Sequence, residues 1–184
     1  MRSSSARNLV VPVIIILTIH PFEAQAERKL RLHNLVKVEE DTEVVETNLS
    51  IIEVDGNVFK INGELKINSE VDDNFEMGVE VQRSEKHDWD YESVFYVDKI
   101  GVCSFLNTYY KEFFYERLEE YSNAPVPSTC PLPEGAHYHL KDYPLDVTLL
   151  KTLLKPGHYR IEFTSMLNND FNPLIYLVEL EVYD

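Results

Sequence analysis

The stretch after residue 58 alternates. Phe59, Ile61, Gly63, Leu65 and Ile67 fall on one side, and Asn62, Glu64, Lys66 and Asn68 on the other. A period of two predicts a strand with one wet face. Val71-Asp72-Asp73-Asn74 supplies turn chemistry. Phe75, Met77, Val79 and Val81 then alternate with Glu76, Glu80 and Gln82. The two runs are expected to be neighbouring antiparallel strands. Leu49 to Val54 reads as a strand, and Leu35 to Val38 and Val94 to Val97 as weaker ones. Tyr138 and Leu140 alternate with His137, His139 and Lys141, and Tyr159, Ile161 and Phe163 with Arg160 and Glu162. Leu174, Tyr176, Val178, Leu180 and Val182 alternate around Glu179 and Glu181. About seven short strands separated by turns predict a mostly β chain, a two-sheet antiparallel β-sandwich.

One segment has a different period. In Ser104 to Tyr121, Phe105, Leu106, Tyr109, Tyr110, Phe113, Phe114 and Leu118 recur at spacings of three and four. This predicts one amphipathic helix over 104–121, about 27 Å long, capped by Ser104 and ended by Asn123 and Pro125. Its apolar arc is wider than a surface helix needs. A loop with four prolines follows, from Asn123 to Gly135.

The first 26 residues read differently again. Arg2 and Arg7 precede an uncharged run, Leu9 to Ile19, and Ala24-Gln25-Ala26 is a small-residue cleavage signal. This order predicts a secretory signal peptide over 1–26 and a single domain over 27–184. The run is too short to span roughly 30 Å of hydrocarbon, and Pro12 interrupts it. Removing Arg2, Arg7 and Glu23 takes 17 basic and 32 acidic side chains to 15 and 31, and the formal charge from −15 to −16. Such an acid excess excludes sequence-independent nucleic-acid binding and adhesion to an anionic bilayer. Cys103 and Cys130, an even pair in a secreted chain, are expected to form a disulfide, which closes a loop of about 27 residues. Asn48-Leu49-Ser50 is an N-x-S/T sequon, so Asn48 is a candidate glycosylation site.

Enzyme signatures are absent: no G-x-S-x-G elbow, Walker loop or dinucleotide fingerprint occurs. Glu39-Glu40-Asp41 and Asp72-Asp73 read as solvated surface, since nothing in their spacing places a carboxylate in an apolar pocket. His137 and His139 share a strand face with Lys141 and lack an evident third ligand, so no metal site is assigned. His87 to Glu92 is an acidic-aromatic cluster in a connection, read as an ordinary loop with a packing Trp89. Arg28, Lys29 and Arg31 read as a frayed basic terminus. No catalytic residue and no cofactor is expected.

The apolar interior remains as candidate chemistry. If the sheets separate at one end, their inward rows line a cavity suited to a lipid, and the aromatic helix acts as a lid. The same residues would fill a closed core equally well. The wall candidates are Phe59, Ile61, Phe75, Met77, Val79, Tyr159, Phe163, Tyr176 and Val178, with Phe105, Tyr109 and Phe113 on the lid.

The stretch Asp98 to Leu106, DKIGVCSFL, resembles the D-x-C-x-F-L core of a large insect family of secreted proteins classed as a domain of unknown function. Ser122 to Pro125 and Cys130 to Gly135, completed by Tyr138, resemble that family's N-x-P…C-P-x-x-G-x-Y segment. Leu154 to Tyr159 resembles its L-P-x-G-x-Y motif. The likeness spans roughly residues 35 to 182. The family is related to the ML lipid-recognition group, which includes the ganglioside activator protein, and some insect members are chemosensory B-type proteins implicated in pheromone response. The resemblance implies an ML-like, immunoglobulin-like sandwich or cup without catalytic machinery. It departs in cysteine content: the activator protein has several disulfides and this chain can form one, so no ligand residue is carried over. The expected function is a secreted, non-enzymatic, monomeric binder of a lipid-like or pheromone-like molecule. The alternative is a solid-cored secreted interaction module acting on a membrane receptor, channel or matrix partner.

Overall fold

A computed structural model describes residues 28–55, 58–86, 90–145 and 154–184. The expected signal peptide and the His87–Trp89 part of the acidic-aromatic cluster lie outside these residues. Eight strands form, five of them on the alternating runs and β1, β2 and β5 on the other expected stretches: β1 (Lys29–Glu40), β2 (Val45–Asp55), β3 (Val58–Ile67), β4 (Phe75–Ser84), β5 (Glu92–Gly101), β6 (His137–Leu145), β7 (Gly157–Leu167) and β8 (Leu174–Tyr183). They form two antiparallel sheets, one in the order β1-β8-β7-β4-β5 and one in the order β2-β3-β6. Most strands have one apolar face, and the two sheets bury those faces against each other.

Two expectations about the strands need correction. β3 and β4 are consecutive but lie in different sheets: β3 pairs with β2 and β6, and β4 with β5 and β7. Their connection is no hairpin turn. Val71 within it exchanges backbone hydrogen bonds with Leu132, at 3.0 and 2.8 Å, which carries the chain across the sandwich. The basic start is also not frayed. Lys29 and Arg31 belong to β1, opposite Tyr183 and Glu181, and Arg31 Nη1 donates to Glu181 at 2.9 Å.

The sheets differ in width, and this leaves β5 uncovered. Val94, Phe95 and Tyr96 on this edge strand are all more than half exposed. From β5 the chain enters the helix, which leads from the edge of the large sheet toward β6 at the edge of the small one. It is α-helical over Val102–Phe105, π-helical over Leu106–Phe114 and α-helical again over Tyr115–Leu118. It therefore starts and stops slightly before the expected 104–121. Ser104 does not cap it. Instead Asp73, from the β3–β4 connection, accepts the Ser104 N–H at 2.9 Å. Cys103 on the first turn is disulfide-bonded to Cys130 in the proline-rich loop, with Cα atoms 5.4 Å apart. Among the described residues no helix is long and apolar enough to cross a membrane.

Candidate functional site

The interior divides into two halves along the strands. At one end Leu30, Phe59, Tyr159, Leu180 and Val182 are buried against one another, with Ile51, Val81, Ile161 and Val178 packed around them. This end is closed core. At the other end the helix sits with Val102, Leu106 and Tyr110 buried against Val45, Ile67, Phe75, Leu174 and Tyr176. Here the two sheets and the helix line a cavity of about 370 Å³ that is open to solvent, with the exposed Asn48, Leu49, Glu64 and His139 among its lining residues. Volumes of this order are typical of small-molecule sites.

The dividing line crosses each strand near its middle. β3 lends Gly63, Leu65 and Ile67 to the cavity, while Phe59 goes to the closed end. β4 lends Phe75 and Met77, and its Val81 packs at the closed end. Phe163 on β7 and Tyr176 on β8, register partners, complete the wall of the large sheet with Leu174. Gly63 has a local reason. A Cβ there would come within 3.2 Å of the Leu49 side chain, so glycine leaves a notch between Leu49 and Leu140.

Of the sequence-derived wall and lid candidates, the structure brings together Phe75, Met77, Phe105, Phe163 and Tyr176. Phe59 and Tyr159 are fully buried at the closed end, with Val178 packed there. Ile61 and Val79 are half-buried and outside the cavity lining. Tyr109 and Phe113 are 50% and 63% exposed and stack on each other, with ring centroids 6.4 Å apart.

The winding of the helix explains that last placement. In a π-helix the backbone bonds reach five residues on rather than four. Phe105, Tyr110 and Tyr115 accordingly form one ladder, with ring centroids 6.2 and 5.7 Å apart. A period of 3.6 selects Phe105, Tyr109 and Phe113 instead. The signal for the inner face, aromatics five apart, is present in the sequence but does not fit an α-helical template. Leu106, Leu118 and Tyr138, apolar positions of the pattern that are not among the wall and lid candidates, also line the cavity, as does Leu132. Leu132 comes from a loop, where no periodicity operates.

The hydroxyls of the wall are few, and all but that of Tyr138 are engaged. Tyr110 donates its hydroxyl to Pro125 O at 2.8 Å, and burial pushes its phenol up to about 12. Burial also raises the Tyr138 phenol. Ser122 Oγ donates to Leu118 O at 2.7 Å. Thr47 Oγ1 lies 2.7 Å from the Tyr176 hydroxyl and 2.6 Å from Glu40 Oε1. Glu40 further accepts from the Thr47 N–H at 2.7 Å and from Lys37 Nζ at 2.8 Å. Burial pushes the Glu40 carboxyl up, but the hydrogen bonds from Lys37 and Thr47 outweigh it and leave it below its ordinary value. Among the described residues no Lys or Arg lines the cavity. Glu64 and His139, which border the cavity, are exposed on the small sheet.

Other candidate chemistry lies at the rim of the cavity, as Asn48 and His139 do, or away from it. His137 and His139 are on the exposed side of β6, with His137 Nε2 3.7 Å from Glu64. Asn48 is exposed on β2, the edge strand of the small sheet, where a glycan is sterically accessible. His33, His158 and Glu181 each bring one metal-ligating atom within 4.8 Å of the others. They lie outside the cavity lining, and Arg31 already engages Glu181.

Residues 77–161 match the model of a family described as a protein of unknown function, DUF1091. The matched stretch starts in β4, holds the helix, both cysteines and β6, and ends within β7. No curated protein matches the chain.

Proposed function

We propose that the protein is a secreted, non-enzymatic carrier or receptor-presenting binder of a single hydrophobic small molecule or lipid. The observation that supports this reading is the cavity of about 370 Å³ between the sheets, walled almost wholly by aliphatic and aromatic side chains. A water molecule occupies about 30 Å³ of liquid, so the space holds roughly a dozen groups of that size. A chain of about twelve methylenes is comparable. At about 0.8 kcal/mol per buried CH₂, its transfer from water contributes about 10 kcal/mol before the entropy cost of association. The disulfide is compatible with an oxidising compartment, and secretion is what the first 26 residues lead us to expect. The ML-like, chemosensory role implied by the resemblance fits a cavity of this kind.

The experiment is lipid extraction of the purified secreted protein followed by mass spectrometry, with displacement of a neutral fluorescent probe, Nile red. A co-purifying apolar ligand and saturable probe uptake are expected. Absence of both would sink the carrier reading.

A second reading, an interaction module, draws support from β5. This edge strand carries exposed Val94, Phe95 and Tyr96 and has no outer neighbour among the described residues. Unpaired strand edges are templates for pairing with another chain. Substituting Phe95 and Tyr96 with lysine would abolish partner capture under this reading and leave probe uptake intact under the first.

A further inference from the structure

The hydroxyls that line the cavity have little freedom in where their protons point, and this has consequences for the ligand. Glu40 is the fixed end of a chain. An ionised carboxylate only accepts hydrogen bonds, and Glu40 receives three donors: Lys37 Nζ, the Thr47 N–H and Thr47 Oγ1. The Thr47 hydroxyl proton is therefore committed to Glu40 at 2.6 Å. The 2.7 Å contact between Thr47 Oγ1 and the Tyr176 hydroxyl then has only one workable direction: Tyr176 donates and Thr47 accepts. Tyr176 is left with lone pairs and no proton to offer.

The other hydroxyls are similar. Tyr110 spends its proton on Pro125 O and Ser122 on Leu118 O. Tyr138 is the exception and can either donate or accept. One phenol does not balance a full negative charge; among the described residues no Lys or Arg lines the cavity, and Asn48, Glu64 and His139 in its lining are exposed to solvent. A buried carboxylate without a partner is strongly disfavoured. A second carboxylate near Tyr176 would also face Glu40 through two hydroxyls.

We propose that the cavity selects a neutral ligand whose polar end is a hydrogen-bond donor, such as a long-chain alcohol, over a carboxylate or an acceptor-only ether of equal length. The inference rests on the ligand-binding reading above and adds the chemistry of the ligand's polar end. The acceptor that meets the ligand is the Tyr176 phenol oxygen, and its orientation is set by Glu40, which lies outside the cavity lining.

Displacement of Nile red from the full secreted protein, with dodecanol, dodecyl methyl ether and dodecanoate as competitors near pH 8, tests this. Dodecanol is expected to bind at least about tenfold more tightly than either competitor, as for one well-made buried hydrogen bond. Tyr176→Phe should bring dodecanol to within about twofold of the ether without changing the ether's own affinity. Thr47→Val should lower the same alcohol-to-ether ratio by the other route, through the ether. It removes the acceptor of the Tyr176 proton, frees that proton for the ligand, and strengthens ether binding relative to alcohol. Dodecanoate binding as tightly as dodecanol overturns the inference, as does an alcohol-to-ether ratio that neither variant moves. In both cases probe uptake still stands, and with it the carrier reading. If neither the probe nor any competitor binds, both fall together.

Discussion

The Tyr176 hydroxyl and Thr47 Oγ1 meet at 2.7 Å across the gap between the two sheets, Tyr176 on β8 of the large sheet and Thr47 on β2 of the small one. Around them the walls are apolar, and behind Thr47 stand Glu40 and Lys37. This polar tie lies beside the cavity in a half of the sandwich that is not filled by side chains.

Acid should expose the role of Glu40. Its folded carboxyl titrates below its ordinary value of about 4.5. The stabilisation is present above the unfolded value and is lost as pH falls through the folded one. Urea midpoints measured from about pH 6 down to about pH 3 should decline, and Glu40→Gln should flatten that decline. An unchanged slope in the variant would show that the network carries no linkage.

Alkali should act through the tyrosines. Burial raises Tyr110 to about 12 and raises Tyr138 and Tyr159 above their ordinary value. The unfolded phenols ionise near pH 10, so the contribution is intact below that and is lost as pH rises toward the folded values. Tyr110→Phe should lower neutral-pH stability by about 1 kcal/mol, through loss of its bond to Pro125, and soften the alkaline decline. Unfolding curves across the alkaline range decide this.

A charge at Phe163 should empty the cavity. Phe163→Lys places an ammonium against an apolar wall, and probe uptake should fall by tenfold or more. Phe113→Lys is the control, because Phe113 is exposed on the outer side of the helix. Its stability should stay within about 0.5 kcal/mol and its uptake within about twofold. Equal losses in both variants would mean that the cavity is not where the probe sits.

The start of the helix depends on a glycine. A Cβ at Gly101 would clash with Asp73, whose carboxylate holds the Ser104 N–H and Oγ. Gly101→Ala should cost about 1–3 kcal/mol, seen as a lower thermal midpoint, whereas Gly135→Ala, with open space around it, should act only through its positive φ of 81°.

The disulfide holds the helix against the loop. Replacing both cysteines with serine should lower stability by about 3.5 kcal/mol on the chain-entropy model for a separation of 27. Probe uptake should weaken as well, because the helix is a wall of the cavity. Chemical denaturation and probe titration of the double variant measure the two effects separately.

Much of the fold was legible in the residues. Period two marks β3, β4, β6, β7 and β8, since a strand with one buried face must alternate whatever it pairs with; β1, β2 and β5 are legible only as short apolar stretches. Phe59 and Phe75 were correctly read as inward. The pairing of β3 with β4 was misread, because alternation carries no information about which sheet a strand joins. The helix was legible as a helix, but not its winding, and Tyr109 and Phe113 were assigned inward on a period that the π segment does not keep.

The sequence by itself determined which side of each alternating strand is apolar, that one segment is helical, and that the two cysteines are available to each other. These follow from local spacing and composition. The tertiary structure alone decided that the interior is solid around Tyr159 and hollow around Phe163, only four residues further along β7. Both side chains are aromatic and both face inward. What separates them is the helix covering one end of the sandwich, and that arrangement depends on contacts between residues far apart in the chain.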